Sequence, residues 1–274
     1  MPIRRSALWS DPRVKPPFGA AEIDWGHPLA TGILLRTNHA EGGGQKFVND
    51  AGGPASGTLG TNYQWNAGPS GLALACTAAG ASPGTVVTFG AETAIPVPTN
   101  GTFTVALHYR KTDSTNRSSS GFGVADPSYP YRFHAHLPDS DGTVYFDYRG
   151  TNIPLNRVTA AGLTFGNDIW IFSGGSELRI YQNGILRGNS GTPNETRSAS
   201  AADLVLFGGT SNTDLAESAW FSLYQRELSA AEALWLSTEP YAMFRPIVRR
   251  RYFAPTTAVS SRSGQGLLTL GIGY

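Results

Sequence analysis

The 274-residue chain has one cysteine, Cys76. No intramolecular disulfide can form, which excludes a disulfide-stapled secreted framework and a cysteine-based zinc site and leaves Cys76 as a small buried hydrophobe. Charged residues are scarce, at 15% against 40% hydrophobic. No apolar run is long enough to span a membrane, so no membrane insertion is expected. Arg4 and Arg5 are followed by Ser6-Ala7-Leu8-Trp9-Ser10-Asp11-Pro12, which breaks off before the apolar stretch of about 7–15 residues that a signal peptide needs. The expectation is a chain made and assembled in the cytosol of its producer. A last absence is local: Tyr241 to Tyr274 contains no Asp, Glu or Lys, yet holds Arg245, Arg249, Arg250, Arg251 and Arg262.

Glycine (33) and proline (18) are abundant beside many Ser, Thr and Asn, a composition of strands joined by turns. Residues 1–30, with Pro12, Pro16, Pro17 and Pro28 and no periodicity, read as an extended arm. Gly32-Ile33-Leu34-Leu35 reads as a first strand, and Leu72 to Cys76, Thr85 to Phe89, Phe103 to Arg110, Tyr131 to Leu137 and Thr143 to Tyr148 follow as short apolar or alternating runs. Asp141-Gly142 and Asn183-Gly184 predict hairpins with type I′ turns, which need positive φ. Leu204 to Phe207 and Ala219 to Tyr224 add two strands. One helix is predicted from the capping box Ser229-Ala230-Ala231-Glu232 to just before Pro240. The pattern predicts an all-β fold, two antiparallel sheets in a sandwich with one short C-terminal helix. The organisation is an arm over 1–30, a sandwich over 31–240 and a basic, aromatic arm over 241–274.

The net charge of +1 is distributed unevenly. Residues 1–17 carry four basic side chains against Asp11, giving +3, and residues 240–274 carry five Arg and no acid, giving +5, so the remainder is 1 − 3 − 5 = −7. Basic ends on an acidic body suit arms that lie on a neighbouring copy or another acidic partner.

Several segments, in order, resemble concanavalin A-like, laminin G-like jelly-roll domains. Asn38 with Glu41-Gly42-Gly43-Gly44, Gly57-Thr58-Leu59 followed by Trp65, and Gly71-Leu72-Ala73-Leu74 are similar to the family's early blocks. Phe103-Thr104-Val105-Ala106-Leu107, Leu178-Arg179-Ile180-Tyr181-Gln182-Asn183-Gly184 and Leu223 to Glu232 resemble its later strands and closing helix. The resemblance covers about residues 30 to 240 and implies a jelly-roll sandwich. Such sandwiches serve as lectins, glucanases, adhesion modules and parts of virus particles, so the resemblance leaves function open. The segments Glu239-Pro240-Tyr241, Phe244-Arg245-Pro246 and Arg250-Arg251-Tyr252-Phe253 are similar in style to tails of such domains encoded among tailed-phage structural genes.

Glu22-Ile23-Asp24 looks like the start of a β-glucanase signature, but Gly26 and His27 stand where its second glutamate would be. Retaining hydrolysis needs two carboxyls about 5–5.5 Å apart, so no catalytic residue is assigned. The Asp-Glu that the family often carries before its closing Arg is replaced by Ala219 and Trp220, and a hairpin turn accounts for Asp139 and Asp141, so no calcium site is assigned. His134 and His136 share one strand face without a third ligand nearby, and Gly42 to Lys46 lacks the spacing of a phosphate loop. No cofactor is expected. Tyr129, Tyr131, Tyr145 and Tyr148, with Trp65 and Trp170, offer either a sugar-stacking platform or ordinary core. Of these, Tyr129, Tyr131 and Tyr148 are the carbohydrate-binding candidates. For partner binding the candidates are Trp9, Tyr241, Phe244, Arg245, Arg249, Arg250, Arg251, Tyr252 and Phe253, with arginines pairing to carboxylates and aromatics as anchors.

Protein docking is favoured over nucleic acid, since the body is acidic and no folded basic face accompanies the tail. The leading expectation is a non-enzymatic component of a tailed-phage virion, a capsid decoration or cementing protein or another head-tail accessory. Its arms would bind major capsid or tail subunits and copies of itself. Deleting residues 241–274 should then leave a folded domain that no longer joins particles. The alternative is a carbohydrate-binding receptor or host-surface module that takes host glycans.

Overall fold

The computed structural model describes residues 9–52, 57–69, 71–78, 87–95, 97–116, 120–125, 130–149, 156–190, 196–207 and 215–247. Strands β1 (Ala21–Ile23) and β2 (Ile33–Thr37) flank a 3-10 turn at Pro28–Ala30. Short β3 (Lys46–Phe47) and β4 (Gly57–Thr58) precede a hairpin of β5 (Tyr63–Gly68) and β6 (Gly71–Cys76). Then come β7 (Val87–Ala91), β8 (Phe103–Lys111), β9 (Ser120–Val124), β10 (Arg132–His136), β11 (Val144–Arg149) and β12 (Arg157–Ala160). The chain closes with β13 (Asn167–Gly174), β14 (Leu178–Gln182), β15 (Ile185–Ser190), β16 (Asp203–Leu206), β17 (Ala216–Ser218), β18 (Phe221–Tyr224), helix α1 (Ala230–Thr238) and β19 (Phe244–Pro246). No helix among the described residues is long and apolar enough to cross a membrane.

The strands make an antiparallel two-sheet sandwich. One sheet runs β12-β11-β10-β9-β16-β7-β4-β3. The other runs β15-β14-β13-β8-β17-β6-β5, and β18 lies against β8 with β2 on its far side. Alternation along β8 points Phe103, Val105, Leu107 and Tyr109 into the space between the sheets, where they meet Phe122, Phe133, Phe146, Phe172 and Phe221. Phe103 stacks on Tyr148 at 5.4 Å, and Phe133 meets Phe146 edge-on at 5.5 Å, the offset and T-shaped geometries that aromatic quadrupoles favour.

A second core lies on the opposite face of the β8 sheet. Ala106, Ile169, Ile171, Trp220 and Tyr224 are covered there by Leu29, by Leu236 of α1, and by Tyr241, Met243 and Phe244. β8 is therefore buried on both faces, which is why its sequence runs apolar where a half-exposed strand would alternate. β19 pairs with β1 in the register Ala21↔Pro246 and Ile23↔Phe244, and the Tyr241 amide donates to Pro12 O at 3.0 Å. Residues 9–30 and 241–247 thus belong to the folded body. The boundaries expected at 30 and 240 miss this because proline-rich extended chain and an arginine-bearing tail carry no periodicity, although they cover apolar sheet.

The pin for this layer is Arg36, which is fully buried. Its guanidinium donates to Asn38 Oδ1 at 3.0 Å, Ser222 Oγ at 2.8 Å and Pro240 O at 3.0 Å, and stacks 4.3 Å from the Trp220 ring. The helix opens with the expected capping box: Ser229 Oγ accepts from the Glu232 amide and Glu232 Oε2 from the Ser229 amide. Asn183 and Gly184 have φ of 52° and 78°, as a type I′ turn requires. The β10–β11 hairpin also forms, but its turn is built differently, with Gly142 alone at positive φ, Asp139 exchanging backbone bonds with Gly142 and Thr143, and Asp141 Oδ1 accepting from the Thr143 amide.

Candidate functional site

At the edge of the second core, outward positions on β8 and β13 floor a cleft of about 520 Å³. His108 stands directly across the strand pair from Ile169, with Asn167 beside it. The Ala219 amide donates to His108 Nδ1 at 3.0 Å, so the ring proton sits on Nε2 and is donated to Asn167 Oδ1 at 2.7 Å. Burial lowers the His108 pKa to about 4, so the ring is neutral at physiological pH and acts as a fixed hydrogen-bonding group. Asn183, at the β14–β15 turn, accepts from the Ile169 amide at 2.8 Å and donates to Asp168 Oδ1 at 2.7 Å.

One wall is the end of α1 and its continuation, Ser237, Thr238, Pro240 and Tyr241, and the other is the arm segment Arg13 to Lys15. Lys15 holds that segment down by donating from Nζ to His39 O at 3.0 Å and to Leu72 O. Burial, reinforced by the nearby Arg36 charge, lowers the Lys15 pKa to about 7. A neighbouring cleft of about 400 Å³ shares Asn183 and adds Phe165, Asp168 and Arg187. Rigid amide, imidazole and hydroxyl groups over an Ile169 and Pro69 floor suit a polar ligand with many hydroxyls.

Apart from Tyr241 at the cleft wall, the described residues singled out from sequence fall elsewhere. Tyr148 is fully buried in the first core, donating its hydroxyl to Thr99 O at 2.6 Å and accepting from the Gly101 amide at 2.7 Å, so it presents no face to a sugar. Tyr131 is half-buried and its carbonyl accepts from Arg197, while Tyr129 lies outside the described residues. Trp170 is core, and half-buried Trp65 donates to Gly44 O at 2.8 Å. Tyr241 and Phe244, 3% and 7% exposed, anchor the chain's own second core rather than a separate partner, and Trp9 packs against that core and donates to Val14 O. Arg245 is exposed and pairs with Glu22 at 3.0 Å and Asp24 at 3.7 Å. The carboxylates of the glucanase-like segment therefore flank an arginine, not a cleft. Arg249, Arg250, Arg251, Tyr252 and Phe253 lie outside the described residues.

His134 and His136 share a face of β10, ring centroids 4.5 Å apart, beside Asp147, which takes Arg132 and Arg157 together. No group of three or more metal-ligating side chains occurs among the described residues. Asp141 accepts from the Tyr145 hydroxyl at 2.6 Å, which leaves it a turn residue. Ala219 and Trp220 are buried in the second core and bring no side-chain oxygen to it. Sequence reading missed His108 and Asn167; the available signal was parity, since Thr104, Ala106 and His108 alternate with the core-facing residues of β8.

The fold and cleft define an antiparallel β-sandwich with a polar, hydroxyl-compatible groove on the outer face of one sheet. In sequence, no protein-family model and no curated protein matches the chain. In structure it is similar to the binding domain of Paraclostridial Mosquitocidal Protein 1, with a TM-score of 0.59 at 12% identity over 76% of this chain and 52% of that one. Domain 4 of AbnA, a GH43 extracellular arabinanase from Geobacillus stearothermophilus, in complex with arabinotriose, gives a TM-score of 0.54 at 13% identity over 80% of this chain and 99% of that domain. Trypanosoma rangeli sialidase in complex with sialic acid gives 0.54 at 13% identity, over 77% of this chain and 33% of that one. The chain thus spans about half of the toxin binding domain and a third of the sialidase. At such identities the likeness is one of fold.

Proposed function

We propose that the protein is a non-catalytic carbohydrate-binding module whose outer-face cleft takes a saccharide. The observation that carries this reading is the composition of the cleft: His108, Asn167, Asn183, Ser237 and Thr238 line it, and no Asp or Glu is among its described lining residues. Glycoside hydrolysis by the common route needs two carboxyls flanking the scissile bond, whereas binding needs hydrogen-bonding groups held in place over an apolar floor. The domain solved with arabinotriose and the toxin binding domain support a binding role by analogy of fold, and the sialidase is a reminder that enzymes share it. The test is a glycan array probed with the intact chain and with Thr238→Trp, which fills the cleft from an exposed position. Retention of a defined glycan set by the parent and its loss in the variant is the expected result. No retained glycan, or equal retention by both proteins, overturns the reading.

A second reading, attachment to a virion or other large assembly, is favoured by the charge pattern of +5 over residues 240–274 on an acidic body. With residues 241–247 engaged on the body, docking on particle subunits falls to residues beyond 247, and to Arg4 and Arg5 at the other end. Co-sedimentation of the intact chain with particles, abolished by replacing Arg249, Arg250 and Arg251 with Ser, is its test; unchanged incorporation refutes it.

A further inference from the structure

The cleft has a charge asymmetry that glycan binding in general does not require. Between residues 18 and 239 the chain holds 12 Lys and Arg against 19 Asp and Glu, a net of 12 − 19 = −7. The charged side chains lining the cleft are nevertheless Arg13 and Lys15. We propose that the cleft selects acidic saccharides, seating a carboxylate or sulfate of the ligand against Arg13 and Lys15 while ring hydroxyls meet Asn167 and Asn183. The proposal rests on the carbohydrate-binding reading and narrows its ligand class.

Each basic group has capacity left for an anion. The Arg13 side chain is 74% exposed, and among the described residues its one ion pair is with Glu239, whose Oε1 stands 4.0 Å from Nη2, beyond hydrogen-bond reach. Asp11 directs Oδ1 to the Arg13 backbone amide at 2.9 Å rather than to the guanidinium. The planar donor fork is therefore able to take a carboxylate or sulfate in two parallel bonds, a geometry suited to arginine. In its protonated form, which a bound anion would favour, Lys15 has three donors and gives two to His39 O and Leu72 O. Arg36 faces it with like charge, while Glu41 and Asp50 act from the other direction without an ion pair to it among the described residues. An anion in the cleft supplies a counter-charge that the protein itself provides only at a distance, and the partly enclosed walls strengthen that attraction relative to open water.

The test uses an array in which each neutral glycan is paired with its sialylated and its sulfated form, probed with the intact chain and with Arg13→Gln. The largely exposed Arg13 makes this variant safe for folding. The acidic members are expected to be retained about tenfold more strongly than their neutral partners at low salt, as charge-assisted hydrogen bonds imply. That preference should shrink at high salt and vanish in Arg13→Gln. Retention of only the sialylated or only the sulfated form identifies the acid group that fits. Equal retention of acidic and neutral partners, or a preference that survives Arg13→Gln, overturns the selection and leaves carbohydrate binding standing. Retention of no glycan by the intact chain overturns both.

Discussion

Replacing Arg36 tests whether residues 241–247 are integral to the fold. Its guanidinium is 0% exposed, and among the described residues its hydrogen bonds go to the neutral oxygens of Asn38, Ser222 and Pro240. Hydrogen bonds from a charged donor contribute about 1.5–3 kcal/mol each, and a desolvated cation over an indole face adds about 2 kcal/mol. Against this stands the desolvation of the guanidinium, several kcal/mol, which also lowers its pKa. Arg36→Met removes both sides of the balance but leaves three acceptors without their donor, so a net loss of about 3 kcal/mol is expected. Arg36→Lys is the sharper variant. The ammonium keeps the desolvation cost, lacks the planar fork that reaches three acceptors, and stacks less well on Trp220, so it should destabilise at least as much as Met. Urea unfolding at neutral pH reads both values, and limited proteolysis reads whether the 240–247 segment detaches first. If Arg36→Lys unfolds within about 1 kcal/mol of the parent, the guanidinium geometry is not what pins the layer, and the reasoning fails.

Three further expectations concern stability. A chain ended after Ile247 keeps every contact described above and should unfold at the parent's urea midpoint, whereas one ended after Pro240 loses Tyr241, Met243 and Phe244 from the second core, about 1.5–3 kcal/mol for each buried side chain; similar midpoints for the two truncations would contradict the two-core description. His108, with its pKa lowered to about 4, and His39 and His134, lowered well below 6.5, are neutral when folded, so the unfolded chain binds more protons between about pH 6.5 and pH 4. Stability should therefore fall as pH drops through that window, by on the order of 3 kcal/mol from His108 alone. Asp50, raised to about 6, opposes this in part, since it is protonated in the folded protein before the unfolded one. A urea midpoint that does not drop between neutral pH and the lower end of that window refutes the assignment. Gly188→Ala places a methyl carbon 2.1 Å from Thr159 O at the seam where β15 approaches β12, and should cost about 1–3 kcal/mol in the same assay; a neutral effect would mean the seam opens freely.

Much of the fold was legible because its signals are local. Alternating runs, the Asn183-Gly184 dipeptide and the Ser229 capping box each act over a few residues, and each produced the element it predicts. The Asp141-Gly142 turn shows the limit, since a hairpin was specified there but Asp139 drew the backbone into a different closure. The sites were far less legible. Tyr148, an apparent sugar platform by residue type, is core because β11 turns that face inward, and Tyr241 and Phe244, apparent anchors for a partner, bind the chain's own sheet.

By itself, then, the sequence determined an antiparallel two-sheet sandwich, a helix at its end and an acidic body with basic termini, because strand period, turn chemistry, capping and charge are properties of neighbouring residues. Tertiary structure decided which face of β8 is covered, that residues 9–30 and 241–247 cover it, and that His108, Asn167, Asn183, Arg13 and Lys15 share one cleft. Those residues are separated by up to 170 positions, from Arg13 to Asn183 (183 − 13), and only the closing of long-range strand pairs brings them together.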